Sequence, residues 1–121
     1  MIKIPVSLGE LYDKIAILRL KKEFIKDPDK LLNIEKELKN LLHIAYQNKI
    51  ELFYEEELEA INRKIWIVED QVRVCEKYQW FDAKFIEIAR SVYLLNDERS
   101  SIKNRINKEY NSELIEEKSH D

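Results

Sequence analysis

The sequence predicts an all-α fold, a compact antiparallel helical bundle of about four helices with short extended termini. Three observations predict it. One Gly and two Pro in 121 residues are too few for the many turns of a sandwich or barrel. Apolar residues recur at alternating three- and four-residue spacing over long stretches. The breaks in that spacing, at "KDPDK" and "YQWFD", fall between the long stretches. The length suits a single helical domain over 1–121, with 110–121 an acidic, extended tail.

Met1 to Pro5 reads as a short extended lead. The first helix is expected over about Leu8–Ile25. Ser7 and Glu10 have the spacing of a capping box, in which each side chain bonds the other's backbone N–H. Glu10 and Lys14 follow at i,i+4 in the favourable order. Capping accounts for Ser7 and Glu10 but not for Gly9, which weakens a helical turn unless another backbone or an anion comes close. Nor does it account for Asp13. "KDPDK" ends this helix and starts the next, with Asp27 as cap and Pro28 in the first turn. Leu31, Ile34, Leu38, Leu41 and Ala45 carry the second helix to about Asn48.

A third helix is expected over about 51–78, with the seam Leu58, Ile61, Ile65, Val68, Val72 and Cys75. "YQWFD" reads as a turn, with Asp82 capping a fourth helix over about 83–110. The fourth seam is Phe85, Ile88, Val92, Leu95, Arg99, Ile102 and Ile106. Arg99 stands in it where an apolar residue is expected. It must either snorkel or find a carboxylate, and Glu10, Asp13 and the acidic tail are the available ones.

Helices three and four also carry apolar and charged residues opposite their seams. Folded as a hairpin about Trp80, they set Asp70 level with Arg90 and Arg63 level with Asp97. Trp66, Ile67 and Val74 then fall level with Leu94, Tyr93 and Ile86. These four charges are expected either to pair through a packing face or to form an anion or metal site. Register alone leaves open which face lies inside the hairpin. The other face must cover the first two helices or a second subunit.

Composition excludes several chemistries. A net charge of −3 argues against a nucleic-acid binder. No apolar run approaches a membrane span and no signal peptide opens the chain, so a cytoplasmic protein is expected. Cys75 is alone, so no internal disulfide forms. His43 and His120 have no ligand-spaced neighbours, so no zinc site is expected. One glycine rules out a Gly-rich phosphate loop. Glu55, Glu56 and Glu59 match half of a helical Mg²⁺-pyrophosphohydrolase pattern. The other half fails, because Leu94 stands where a Glu is needed before Asp97.

The segments "IPVSLGELYDKIAIL", "NRKIWIVEDQVRVCE", "FIEIARSVYLLNDERSSIKNRIN" and "EEKS" resemble an uncharacterised family of short bacterial and phage proteins, a domain of unknown function. Gly-Glu-Leu-x-Asp-Lys and Ala-Arg-x-Val-Tyr-x-x-Asn-Asp are its specific strings. The resemblance implies a small stand-alone cytoplasmic protein and carries no activity over. It points to Gly9, Glu10, Asp13, Lys14, Glu69, Asp70, Arg90, Tyr93, Asn96, Asp97 and Arg99. With Arg63 these form a candidate polar centre on the first, third and fourth helices.

The functional expectation is a binding or accessory module acting as a homodimer, with a small anionic ligand as a further partner and no nucleic acid or membrane. No cofactor is expected. The alternative is a small enzyme acting on a phosphorylated or nucleotide-linked substrate, a sugar nucleotide among them, for which Mg²⁺ would be the cofactor.

Overall fold

The computed structural model describes residues 1–51 and 55–110. Four helices hold 82% of them, and no strand is present among the described residues. They are α1 (Leu8–Phe24), α2 (Pro28–Gln47), α3 (Glu55–Tyr78) and α4 (Ala83–Glu109), joined as a compact all-α bundle. The expected acidic tail falls outside the described residues, apart from Tyr110, which caps α4.

Each boundary has a local cause. Ser7 is extended, and its hydroxyl accepts from the Glu10 N–H at 3.1 Å. The reciprocal half of the expected capping box is not made, because Glu10 turns its carboxylate to Lys103 instead. Asp27 accepts from the N–H groups of Asp29 and Lys30, with Pro28 in the first turn of α2. Gln79 takes a positive φ of 56° in the reversal after α3, and Asp82 caps α4 through Lys84 and Phe85. α4 then runs unbroken through Asn96 and Asp97.

α1 is the central element. It packs against α2, α3 and α4, whereas α2 packs on α1 alone among the described residues. This explains why α1 buries most of its circumference and not one stripe, leaving the side of Glu10, Lys14 and Lys21 towards solvent. Leu11, Ile15 and Leu18 meet Ile34, Leu38 and Ala45 of α2. On the other side Tyr12 and Ala16 meet Leu58, Ile61, Ile65, Ile102 and Ile106 of the α3–α4 hairpin.

The hairpin resolves the question the sequence left open. Its seams face inward, and Ile67, Val74, Ile86, Tyr93 and Leu94 are each 46–58% exposed. α1 crosses obliquely. Gly9 lies over α4, Asp13 reaches both α3 and α4, and Phe24 stacks on Trp66 of α3 with ring centroids 5.2 Å apart. The polar and ring contacts joining α1 to the hairpin fall between Glu55 and Trp66 on α3 and between Arg99 and Asn107 on α4.

The expected charge pairs across the hairpin do not form. Arg63 turns to α1, donating to Glu23 at 2.6 and 3.0 Å, and also lies 3.5 Å from Glu59. Asp70 and Arg90 are both exposed and make no ion pair among the described residues. They sit on the outer face, which this hairpin does not close.

Candidate functional site

The polar centre is built on Asp13. A carboxylate in the middle of α1, facing the junction of α3 and α4, is removed from water entirely, with 0% exposure. Such a charge persists only if it is fully paired. Asn62 of α3 donates to its Oδ1 at 2.8 Å. Arg99 of α4 donates from Nε to both oxygens at 3.1 Å and from Nη2 to Oδ2. The Lys103 ammonium stands 3.9 Å from Oδ2 and donates to Glu10 at 2.7 Å. Lys14 closes the chain of charges 3.9 Å from Glu10. Arg99 is oriented further by Asn96, whose side-chain oxygen accepts from Nη1 at 3.4 Å. The odd residue of the fourth seam therefore found one of its expected carboxylates, Asp13.

Gly9 belongs to the same junction. A Cβ built on it would lie 2.5 Å from the Lys103 carbonyl oxygen and 3.0 Å from Asn107 Oδ1. What comes close to this glycine is the backbone of α4. The Gly9 N–H, one of the donors a helix start leaves unpaired, donates to Asn107 Oδ1 at 2.6 Å.

The structure brings together Gly9, Glu10, Asp13, Lys14, Asn96 and Arg99. It leaves the other expected residues apart. Arg63 forms its own group with Glu23, Glu59 and the Phe24 ring, 5.4 Å below its guanidinium. Glu69, Asp70, Arg90, Tyr93 and Asp97 are exposed on the hairpin's flanks. Three members of the centre were missed by sequence reasoning: Asn62, Lys103 and Asn107. A signal existed, since Arg99, Lys103 and Asn107 repeat every four residues on α4 and Asn62 adjoins Ile61 in the third seam. Beside them Ser100 Oγ, Asn104 Oδ1 and Asn107 Nδ2 are buried without a hydrogen-bond partner among the described residues, on one strip of α4.

The half-motif of carboxylates at the start of α3 is engaged elsewhere. Glu55 pairs with Arg19 and Glu59 lies by Arg63. Burial pushes the Glu55 carboxyl above its usual range against the pull of Arg19. The hydrogen bonds from Arg63 hold the Glu23 carboxyl below that range. Among the described residues no group of three or more His, Cys, Asp or Glu could hold a metal ion. No helix there is long and apolar enough to cross a membrane.

Comparison with curated proteins returns no match, and comparison with solved structures returns none. One family model covers residues 2–121, the whole polar centre and the whole hairpin included. The chain therefore belongs to DUF6165, a family of unknown function.

Proposed function

We propose that this chain is a binding module that works as a homodimer, and that its polar centre is a structural keystone. The observation that carries this reading is the face of the α3–α4 hairpin turned away from α1, where Ile67, Val74 and Leu94 remain about half exposed. Two helices alone cannot bury both their seam and their outer apolar residues, and clusters of this kind mark interaction surfaces. The keystone role is supported by the satisfaction of Asp13. Both of its oxygens accept hydrogen bonds from Arg99, Oδ1 accepts from Asn62 as well, and the Lys103 ammonium stands 3.9 Å off, so the carboxylate is engaged within the fold.

Sedimentation equilibrium over a wide concentration range tests the reading. A two-chain mass is expected. A single-chain mass at every concentration up to the millimolar range would overturn it.

A second reading rests on the buried strip of Ser100, Asn104 and Asn107, where the Ser100 hydroxyl and the Asn107 amide N–H are donors for a small anion or the phosphate of a substrate, and Asn104 Oδ1 is an acceptor for a hydroxyl or N–H of the same molecule. It predicts a rise in Tm with inorganic phosphate, or with a nucleotide and Mg²⁺, of the size mass action requires. The homodimeric-module reading predicts no such rise.

A further inference from the structure

Of the hairpin's two faces, one meets α1 through Asn62 and Trp66. Lys64 and Gln71 stand about half a helical turn away from those residues, on the opposite face. There an open groove of ≈400 Å³ runs between α3 and α4, lined by Lys64, Ile67 and Gln71 on one side and Ser91 and Leu94 on the other. The row on α3 continues as Lys64, Ile67, Gln71, Val74 and Tyr78, alternating three and four residues. Its apolar members Ile67, Val74 and Tyr78 are each about half exposed, on a helix whose inward seam is already used.

The register along this face is set by Glu57 and Arg105, which form an ion pair between α3 and α4. Two turns further along each helix, Lys64 comes level with Glu98. Further on, Gln71 comes level with Ser91, and Ile67 lies level with Leu94 and Leu95. Lys64 and Glu98 are both exposed, and neither makes an ion pair among the described residues.

We infer that this groove face is the contact between two copies of the chain, with the twofold axis running along the hairpin. The inference rests on the homodimer reading above and names its surface. With the axis in that direction, α3 of each copy lies antiparallel to α4 of the other, so residues level within one hairpin meet again between copies. Ile67 meets the second copy's Leu94, Gln71 meets its Ser91, and Lys64 meets its Glu98. Apolar meets apolar, amide meets hydroxyl and cation meets anion, each contact occurring twice by symmetry. The product is a four-helix core flanked on both sides by α1 and α2.

The test is a charge swap on the full chain, read by sedimentation equilibrium, with circular dichroism as the control for folding. Lys64→Glu sets like charges against each other twice and should raise the dimer Kd at least about tenfold. Adding Glu98→Lys in the same chain should bring the Kd back towards that of the wild type. Ile67→Asp, at a position half exposed in the single chain, should give a folded monomer. If the wild type is a dimer and Ile67→Asp leaves its Kd unchanged, the face is wrong although the dimer stands. A monomeric Ile67→Asp with a Kd indifferent to both charge changes would overturn the orientation. A wild type that is monomeric throughout removes the homodimer itself.

Discussion

At the scale of single residues, the junction of α1 with the hairpin depends on one atom too few and one charge too many. The missing atom is the Cβ of Gly9. Alanine ordinarily favours a helix over glycine by about 0.5–1 kcal/mol. At Gly9 the added carbon would meet the Lys103 carbonyl at 2.5 Å, and that group is backbone, which cannot turn aside. Gly9→Ala should therefore destabilise, by about 1–3 kcal/mol as overpacked sites do. Urea denaturation checks this, and a stabilised variant would mean that α4 yields. The surplus charge is Asp13. Asp13→Asn leaves Arg99 facing a neutral amide at a buried position while Lys103 keeps Glu10, which should cost about 3 kcal/mol, the low end for a broken buried pair because Arg99 is 26% exposed. Arg99→Gln should also destabilise, and the double variant should cost clearly less than the sum of the two. Additive costs would mean that Asn62 and Lys103 hold Asp13 without Arg99.

Elements differ in how far the sequence discloses them. All four helices, both Asp caps and the turn about Trp80 are legible, because each has a local cause: an apolar period, a capping side chain or a helix breaker. The inward seams are legible as a pattern but not as a choice. α3 and α4 each carry two stripes, and only the position of α1 decides which is buried. α1 itself is the least legible element. Its Tyr12 and Ala16 stripe is hidden by being adjacent to Leu11 and Ile15, because two buried stripes that adjoin have no polar row between them to separate the one facing the hairpin from the one facing α2. Arg99 was legible as needing a carboxylate. Arg63 was not legible as a partner of Glu23, because their contact depends on the oblique crossing of α1 over α3. Two predictions belong at this scale. Asp70→Asn and Arg90→Gln should each change stability by less than about 0.5 kcal/mol and should add, as exposed residues without shared partners do. A coupling energy above about 1 kcal/mol in the monomeric chain would show that they touch. The second concerns pH at the contacts of α1 with α3. Glu23 is held below the usual carboxylate range, so the stability it contributes is present at neutral pH and is lost on acidification. Glu55 is raised above that range, so its ionisation in the fold works against stability as pH rises. As pH rises, Glu23→Gln should thus lose stability relative to wild type at and below the ordinary glutamate pKa, and Glu55→Gln should gain stability relative to wild type above it. Slopes of the same sign in denaturation series would reject the assignment.

The whole molecule is layered unevenly, with α2 outside, α1 in the middle and the hairpin beyond. α1 is held from both sides, by Leu11, Ile15 and Leu18 against α2 and by Tyr12, Ala16 and the Asp13 network against the hairpin. Among the described residues α2 is held from one side only. Its buried side chains are Ile34, Leu38 and Ala45, and Leu32 and Tyr46 are 67% and 82% exposed. Detaching α2 costs one interface and exposes one face of α1. Detaching α1 costs that interface, the hairpin's inner core and the burial of Asp13 together. Stability should therefore be graded across the fold, as it is in proteins whose elements open separately. Native-state hydrogen exchange should show the amides of 34–45 opening at a lower free energy than those of 12–18, with α1 opening only together with α3 and α4. Leu38→Ala, expected to cost about 2–5 kcal/mol at a buried site, should lower the opening energy of α2. It should leave unchanged the gap between partial opening and the loss of α1 from the hairpin. Equal protection across 12–18 and 34–45 would make the bundle one cooperative unit. In that case α1 and α2 open together, and the one-sided packing of α2 among the described residues does not set the order of opening.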